Sequence, residues 1–255
     1  MSAVVMPQLK LAGETHKGCV RQHNEDNFFY VDLYPGYVLA AVADGVGGHA
    51  GGEVASYLCC HRMILDWKAL FREHANPPDS LLARLLAESL QKANLDIFRA
   101  NYEKKHVMPM CTTVAAAVFT PRMVIVAHVG DSRVYCLNNK KIRQLTIDHT
   151  VENELIEQGI TDPAALPGSH VISKALGSQL EIKPEMHSYF RSAQDRYLIC
   201  SDGLSSCWSD WEIADVLAFS PTPRAANDQF IRTTLRRGAM DNVTVVSIFP
   251  ETANI

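Results

Sequence analysis

The chain has 255 residues, 47% of them hydrophobic and 20% charged, an ordinary globular composition with enough apolar material for one large core. A formal net charge of -4 without blocks of like charge argues against nucleic acid or an anionic membrane as partner, and the longest apolar runs fall far short of the roughly 18 residues of a membrane-spanning helix. The start shows no basic segment leading into an apolar stretch, and the seven cysteines include no C-x-x-C pair, so one domain over residues 1–255, cytoplasmic and free of disulfides, is expected.

In chain order, the first feature is the polar run Gly18-Cys19-Val20-Arg21-Gln22-His23-Asn24-Glu25-Asp26-Asn27, which leads into an apolar strand over 28–31. A buried strand over 37–43 follows and ends in Asp44-Gly45. Two long helices are expected next, over 53–71 and 80–105, separated by Asn76-Pro77-Pro78. In the second, Leu82, Leu86, Leu90, Ala93 and Ile97 recur at spacings of three and four, so one face is buried and the pair should pack antiparallel. Strands over 112–119 and 123–129 flank a turn at Pro121, and Gly130-Asp131 leads to a hairpin of 132–137 and 141–145 around Asn138-Asn139-Lys140. The middle of the chain therefore reads as an antiparallel meander.

A short helix over 150–158 opens a Pro- and Gly-containing stretch to residue 171, expected to be a mobile surface element. A strand over 196–200 then ends in Ser201-Asp202-Gly203. Ser209 and Glu212 form a capping box for a helix reaching Phe219, Thr222-Pro223 opens another that Gly238 closes, and Asp241-Asn242 precedes a strand over 243–249. Strands and helices are clustered, which favours antiparallel sheets with helices packed outside over a doubly wound parallel sheet.

Asp44, Asp131, Asp202 and Asp241 each stand at the end of an apolar strand. Singly, each reads as a turn residue, since Asp-Gly is a common turn pair. Gathered at one sheet edge, such carboxylates repel and need cations to persist. Oxygen donors without His or Cys select hard ions such as Mg2+ or Mn2+. Two such ions about 3.5 to 4 Å apart can activate a water and clamp a phosphoryl group. Arg21 is suited to holding phosphate oxygens bidentately.

In order along the chain stand R-Q-H-N-E-D-N, A-D-G-V-G-G-H-A-G-G-E-V-A-S, T-T-V-A-A-A-V, V-G-D-S-R, D-H-T, A-L-G, S-D-G and D-N-V-T. This series resembles the metal-dependent protein serine/threonine phosphatases, the PPM or type 2C family, in their compact bacterial stand-alone form, and covers nearly the whole chain. The resemblance implies an α+β fold, a four-layer α-β-β-α sandwich with two central antiparallel β-sheets flanked by pairs of antiparallel helices. It implies two Mn2+ or Mg2+ ions, with Asp44 bridging them, the Gly45 carbonyl on the second, and Asp202 and Asp241 on the first. Glu25 and Asp26 would act through metal-bound waters, Asp131 with Asp202 would hold a third ion, Arg21 would bind phosphate, and Asn242, beside a ligand, would line the site as one of the metal-binding set. The family's flap would correspond to residues 150–171.

Cys111 and Lys174 depart from the family's usual Gly and Arg, at positions away from the metals. The His that eukaryotic members place after the Asp-Gly pair is Val46 here, which leaves His49 as candidate proton donor. Gly45-Val46-Gly47-Gly48-His49-Ala50 also fits a dinucleotide-binding pattern, but no repeated βαβ unit follows and Asp44 would repel a pyrophosphate. Expected partners are phosphorylated proteins and a cognate Ser/Thr kinase system, met by a monomer. The rival reading is a catalytically silent adaptor, whose signature would be lost ligands; here Asp44, Asp202 and Asp241 are all present.

Overall fold

A computed structural model describes residues 7–46, 51–104, 109–162, 166 and 171–251. Two five-stranded antiparallel sheets stack face to face. The first has the order β1-β12-β11-β8-β9, from β1 (Leu9–His16), β12 (Val243–Pro250), β11 (Arg196–Cys200), β8 (Arg133–Asn138) and β9 (Lys141–Gln144). The second has the order β10-β7-β6-β3-β2, from β10 (Glu185–Phe190), β7 (Met123–Val129), β6 (Val114–Phe119), β3 (Tyr37–Ala43) and β2 (Asn27–Tyr34). A short ribbon of β4 (Gly45–Val46) and β5 (Cys111–Thr112) lies at one end. Helices α1 (Gly52–Glu73) and α2 (Asp79–Lys104) cover the second sheet; α5 (Asp210–Phe219) and α6 (Pro223–Arg236) cover the first, with the short α3 (Val151–Glu157) and α4 (Asp202–Ser205) in the connections.

The continuous apolar runs have a direct cause: both faces of each sheet are covered. All of β3 is buried, and its residues alternate between two cores. Leu39, Ala41 and Ala43 face Met63, Trp67, Leu86 and Leu90 of the helix pair. Val38, Ala40 and Val42 face Val134, Tyr197, Ile199 and Val246 across the sandwich. Each large buried aliphatic contributes about 1.5–3 kcal/mol, so a polar residue anywhere in β3 breaks one core or the other.

Local signals work as read. Thr222 caps α6 by accepting from Ala225 N–H, and both halves of the Ser209/Glu212 capping box are formed. Asn139 and Lys140 take φ of 47° and 63°, the two left-handed residues of a tight hairpin joining β8 to β9.

Two expectations need correction. The run 112–119 is not one strand, because it breaks at Thr113 into β5 and β6. Nor is the middle of the chain one meander. The hairpin β6–β7 belongs to the second sheet and β8–β9 to the first, so the chain crosses between sheets at Gly130-Asp131-Ser132. Gly130 has φ 98°, and a Cβ there would meet the Thr113 side chain at 2.6 Å, so the crossing needs glycine.

Candidate metal centre

The crossing determines where the acidic residues meet. Asp44 follows β3, Asp131 follows β7, Asp202 follows β11 and Asp241 precedes β12, all at the same end of the two sheets. Together with Arg21, Glu25, Gly45 and Ile172 they line a cleft of about 270 Å³. A larger cavity of about 470 Å³ opens near Tyr34 and Gly36, at the opposite end of β3, and contains no comparable cluster of acids.

The backbone around Asp44 is held closely. Its carbonyl accepts from Thr113 N–H and from the Thr112 hydroxyl, both at 2.8 Å. Gly45 N–H donates to the Glu25 carbonyl at 3.2 Å. A Cβ on Gly45 would lie 2.3 Å from the Gly52 carbonyl oxygen, and one on Gly52 would lie 2.7 Å from Glu25 Oε2. Only glycines let the Asp44 turn, the Glu25 carboxylate and the first turn of α1 come this close, where the helix N-terminus also favours a carboxylate.

Electrostatically the cleft is strained. Burial holds Asp44 well above the ordinary carboxylate range, and Asp26, Asp202, Asp131 and Asp241 add repulsion. Asp131 is pushed up to about 7 by burial, with Asp202 and Asp148 contributing. Asp26 is also raised to about 7 by burial, although the Thr244 and Ser201 hydroxyls pull it down by donating to Oδ2 at 2.6 and 2.8 Å. Its other oxygen, Oδ1, is buried with no hydrogen-bond partner among the described residues. A buried carboxylate oxygen without a donor, behind a group of oxygen ligands, suits a hard divalent cation or a proton.

The structure brings Arg21, Glu25, Asp44, Gly45, Asp131, Asp202 and Asp241 to this cleft, with Asp26 directly behind it. Arg21 pairs with Asp241, Nη2 to Oδ2 at 2.7 Å. Asn242 departs from the expected ligand set. Its Oδ1 accepts from Glu25 N–H at 2.7 Å, and its Nδ2 donates to the Lys17 and His23 carbonyls, both at 2.9 Å. The side chain is thus committed to fastening the Arg21-bearing segment to the start of β12. His49 lies outside the described residues, as do Pro163, Pro167 and Gly168 of the flap.

Several supporting groups escaped the sequence reading. Ser201 and Thr244 hold Asp26, and Ser132 bonds the Thr113 hydroxyl at 2.7 Å beside the crossing. Their only signal was membership of S-D-G, V-G-D-S-R and D-N-V-T. Arg133 and His149 hold loops: Arg133 forks onto Asp148, while His149 Nδ1 accepts from Gly130 N–H at 3.1 Å. The histidines show no metal-binding spacing in sequence, yet His128, His149 and Glu185 are gathered within 4.8 Å in the fold. The two imidazoles stack, with centroids 4.7 Å apart and planes 13° from parallel, so their in-plane lone pairs do not converge on one ion. The acidic cleft is the better metal site.

A sequence pattern described as Protein phosphatase 2C matches residues 13–243. The serine/threonine phosphatase stp of Listeria monocytogenes is 31% identical over 237 residues, spanning 92% of this chain and 93% of that protein. Among solved structures, the S. agalactiae serine/threonine phosphatase gives a TM-score of 0.87 at 28% identity, covering 96% of this chain and 100% of that one. The catalytic domain of the serine threonine protein phosphatase PstP in complex with 2 manganese ions gives 0.80 at 33% identity, covering 94% and 97%.

Proposed function

The chain belongs to the protein phosphatase 2C family, and from that premise we propose that the cleft of Asp44, Asp131, Asp202 and Asp241 is its phosphate-hydrolysing centre. The protein is a metal-dependent protein serine/threonine phosphatase that uses Mn2+ or Mg2+. The observation that carries the site assignment is the meeting of four strand-end carboxylates in front of Asp26 Oδ1, which has no donor among the described residues.

In this reading Asp44, the Gly45 carbonyl, Asp202 and Asp241 would hold two ions, with Asp44 shared between them, Gly45 serving one and Asp202 and Asp241 the other. Glu25 and Asp26 would act through water, and Asp131 with Asp202 would hold a third ion. When bound, the ions supply Lewis acidity, lowering the pKa of water toward neutrality and neutralising phosphoryl charge. Arg21 holds the phosphoryl oxygens and orients phosphorus toward the acidic floor. Glu25 and the start of α1 fix one wall, Thr113 and Ile172 the other. His49 donates the proton taken up by the departing serine or threonine oxygen.

The test is hydrolysis of a phosphothreonine peptide with and without chelator, for the native chain and for Asp202→Asn. Turnover should vanish with chelator and fall at least about a hundredfold in the variant, as expected when a charged group in the reacting centre is lost. Turnover in chelator, or an unaffected variant, refutes the assignment. No described helix is long and apolar enough to cross a membrane. We place the protein in the cytoplasm, as a monomer opposing a Ser/Thr kinase. Deleting it should raise phosphoserine and phosphothreonine levels on that kinase's substrates, and an unchanged phosphoprotein profile removes this role.

A further inference from the structure

We propose that the hydroxyls of Thr113 and Ser132 are positioning groups that tie Asp131 to the Asp44 turn, so that the third ion is held in register with the pair; this rests on the site reading above. The link joins the two sheets beside the cleft. On one side, Thr113 N–H donates to the Asp44 carbonyl at 2.8 Å, and the Thr113 hydroxyl accepts from Asp44 N–H at 3.4 Å. Both polar groups of the Asp44 backbone are therefore held by Thr113. On the other side, the same hydroxyl is hydrogen-bonded to that of Ser132 at 2.7 Å. A hydroxyl has one proton and two lone pairs, so Thr113 serves Asp44 and Ser132 together.

Asp131 needs such an anchor. Its carboxylate bonds no other side chain among the described residues, and the hydrogen bond that acts on it comes from its own backbone. The place of Asp131 is thus set by the residues that flank it. Gly130 is fastened to His149, whose Nδ1 accepts from Gly130 N–H at 3.1 Å and whose N–H donates to the Gly130 carbonyl at 3.0 Å. Ser132 is fastened to Thr113. Of these two anchors, His149 leads on to Glu185, which does not line the cleft, whereas Thr113 lines it and leads back to Asp44.

The link is also dry and tightly packed. Thr113 and Ser132 are each 1% exposed, so water is kept from replacing either hydroxyl. A Cβ on Gly130 would meet Thr113 Cγ2 at 2.6 Å, which leaves the crossing little room to slide past Thr113. Without the hydroxyls, Asp131 would shift relative to Asp44, and the ion shared by Asp131 and Asp202 would be weakened before the pair.

Calorimetric Mn2+ titration of the metal-free chain tests this through a double-mutant cycle. Ser132→Ala should weaken the weakest-bound ion about tenfold and leave the tighter ones unchanged, the scale expected when a group behind a metal ligand is removed. Asp131→Asn should abolish that binding step, and adding Ser132→Ala to it should change nothing further. Thr113→Val should weaken the same ion at least as much, while Thr113→Ser, which keeps the hydroxyl, should bind as the native chain does. The metal-free Tm of each variant shows whether it folds; should Ser132→Ala fail, the contrast between Thr113→Val and Thr113→Ser decides. A Ser132→Ala chain with native binding, one weakened alike for every ion, an effect that persists beside Asp131→Asn, or a Thr113→Ser chain as weak as Thr113→Val overturns the link. A native chain that binds no Mn2+, or an Asp131→Asn chain that binds it as the native one does, overturns instead the site reading on which the link rests.

Discussion

Asn242→Ala separates a residue that fastens the site from one that binds metal. The native amide makes three bonds to backbone, to Glu25 N–H and to the Lys17 and His23 carbonyls. Each is worth about 0.5–1.5 kcal/mol net, and their partners can regain some water at the cleft mouth, so the loss should be about 3 kcal/mol. For a domain of this size that corresponds to a fall in Tm of roughly 6–12 °C. The decisive condition is chelator. A fastening role lowers Tm in the metal-free protein and raises KM for p-nitrophenyl phosphate, because Arg21 sits on the loosened segment. If the metal-free Tm is unchanged while Mn2+ affinity collapses, Asn242 is a ligand and the fastening argument is wrong.

Thr244→Val keeps the shape of the side chain but removes a donor from Asp26 Oδ2, leaving only Ser201. Calorimetric titration should show Mn2+ affinity reduced about tenfold, as when the partner of a metal-site carboxylate is removed; unchanged affinity disconnects Asp26 from the ions. His128 is fully buried, and burial lowers it from 6.5 to about 4. Between those values the unfolded chain takes up a proton that the fold refuses, so stability falls as pH drops from about 6.5 toward 4, by up to about 3 kcal/mol. His128→Gln should flatten that part of the difference from the native denaturation curve, and identical pH slopes refute it.

What could be read from the chain depended on how completely each segment is enclosed. The expected limits of β3, β7 and β11 coincide with the structure because these strands are covered on both faces and are flanked by Gly36 and Asp44, Arg122 and Gly130, and Asp195 and Ser201. Of the four edge strands, β1 and β10 were not expected. Each pairs on one side only, and their residues are mostly half-buried or exposed, so Leu-Lys-Leu-Ala-Gly-Glu-Thr-His and Glu-Met-His-Ser-Tyr-Phe carry no clean apolar signal. The aspartates were visible as residues but not as a group until motif order supplied the resemblance. Asp26 shows why: the hydroxyls that hold it belong to residues 175 and 218 positions further along the chain. No local pattern encodes that, nor the three backbone bonds that give Asn242 a different task from the expected one.

The same separation explains how the protein tolerates so many buried acids. The three apolar clusters contain none of the cleft carboxylates, so the sheets are held by contacts that do not depend on the charge state of the site. Repulsion among Asp26, Asp44, Asp131 and Asp202 is confined to strand ends that Gly45, Gly52 and Gly130 pack too closely to splay apart. A mobile scaffold would relax by moving the acids into water, and the site would lose its affinity for cations. A stiff one leaves two ways to lower the energy, proton uptake or divalent ion binding. The raised values of Asp26 and Asp131, both about 7, mean that near neutrality protons already bind these oxygens when no cation does. In the proposed site, protons below that pH would occupy oxygens that Mn2+ or Mg2+ would need, so metal affinity, and activity with it, should decline on the acid side before the fold itself is lost.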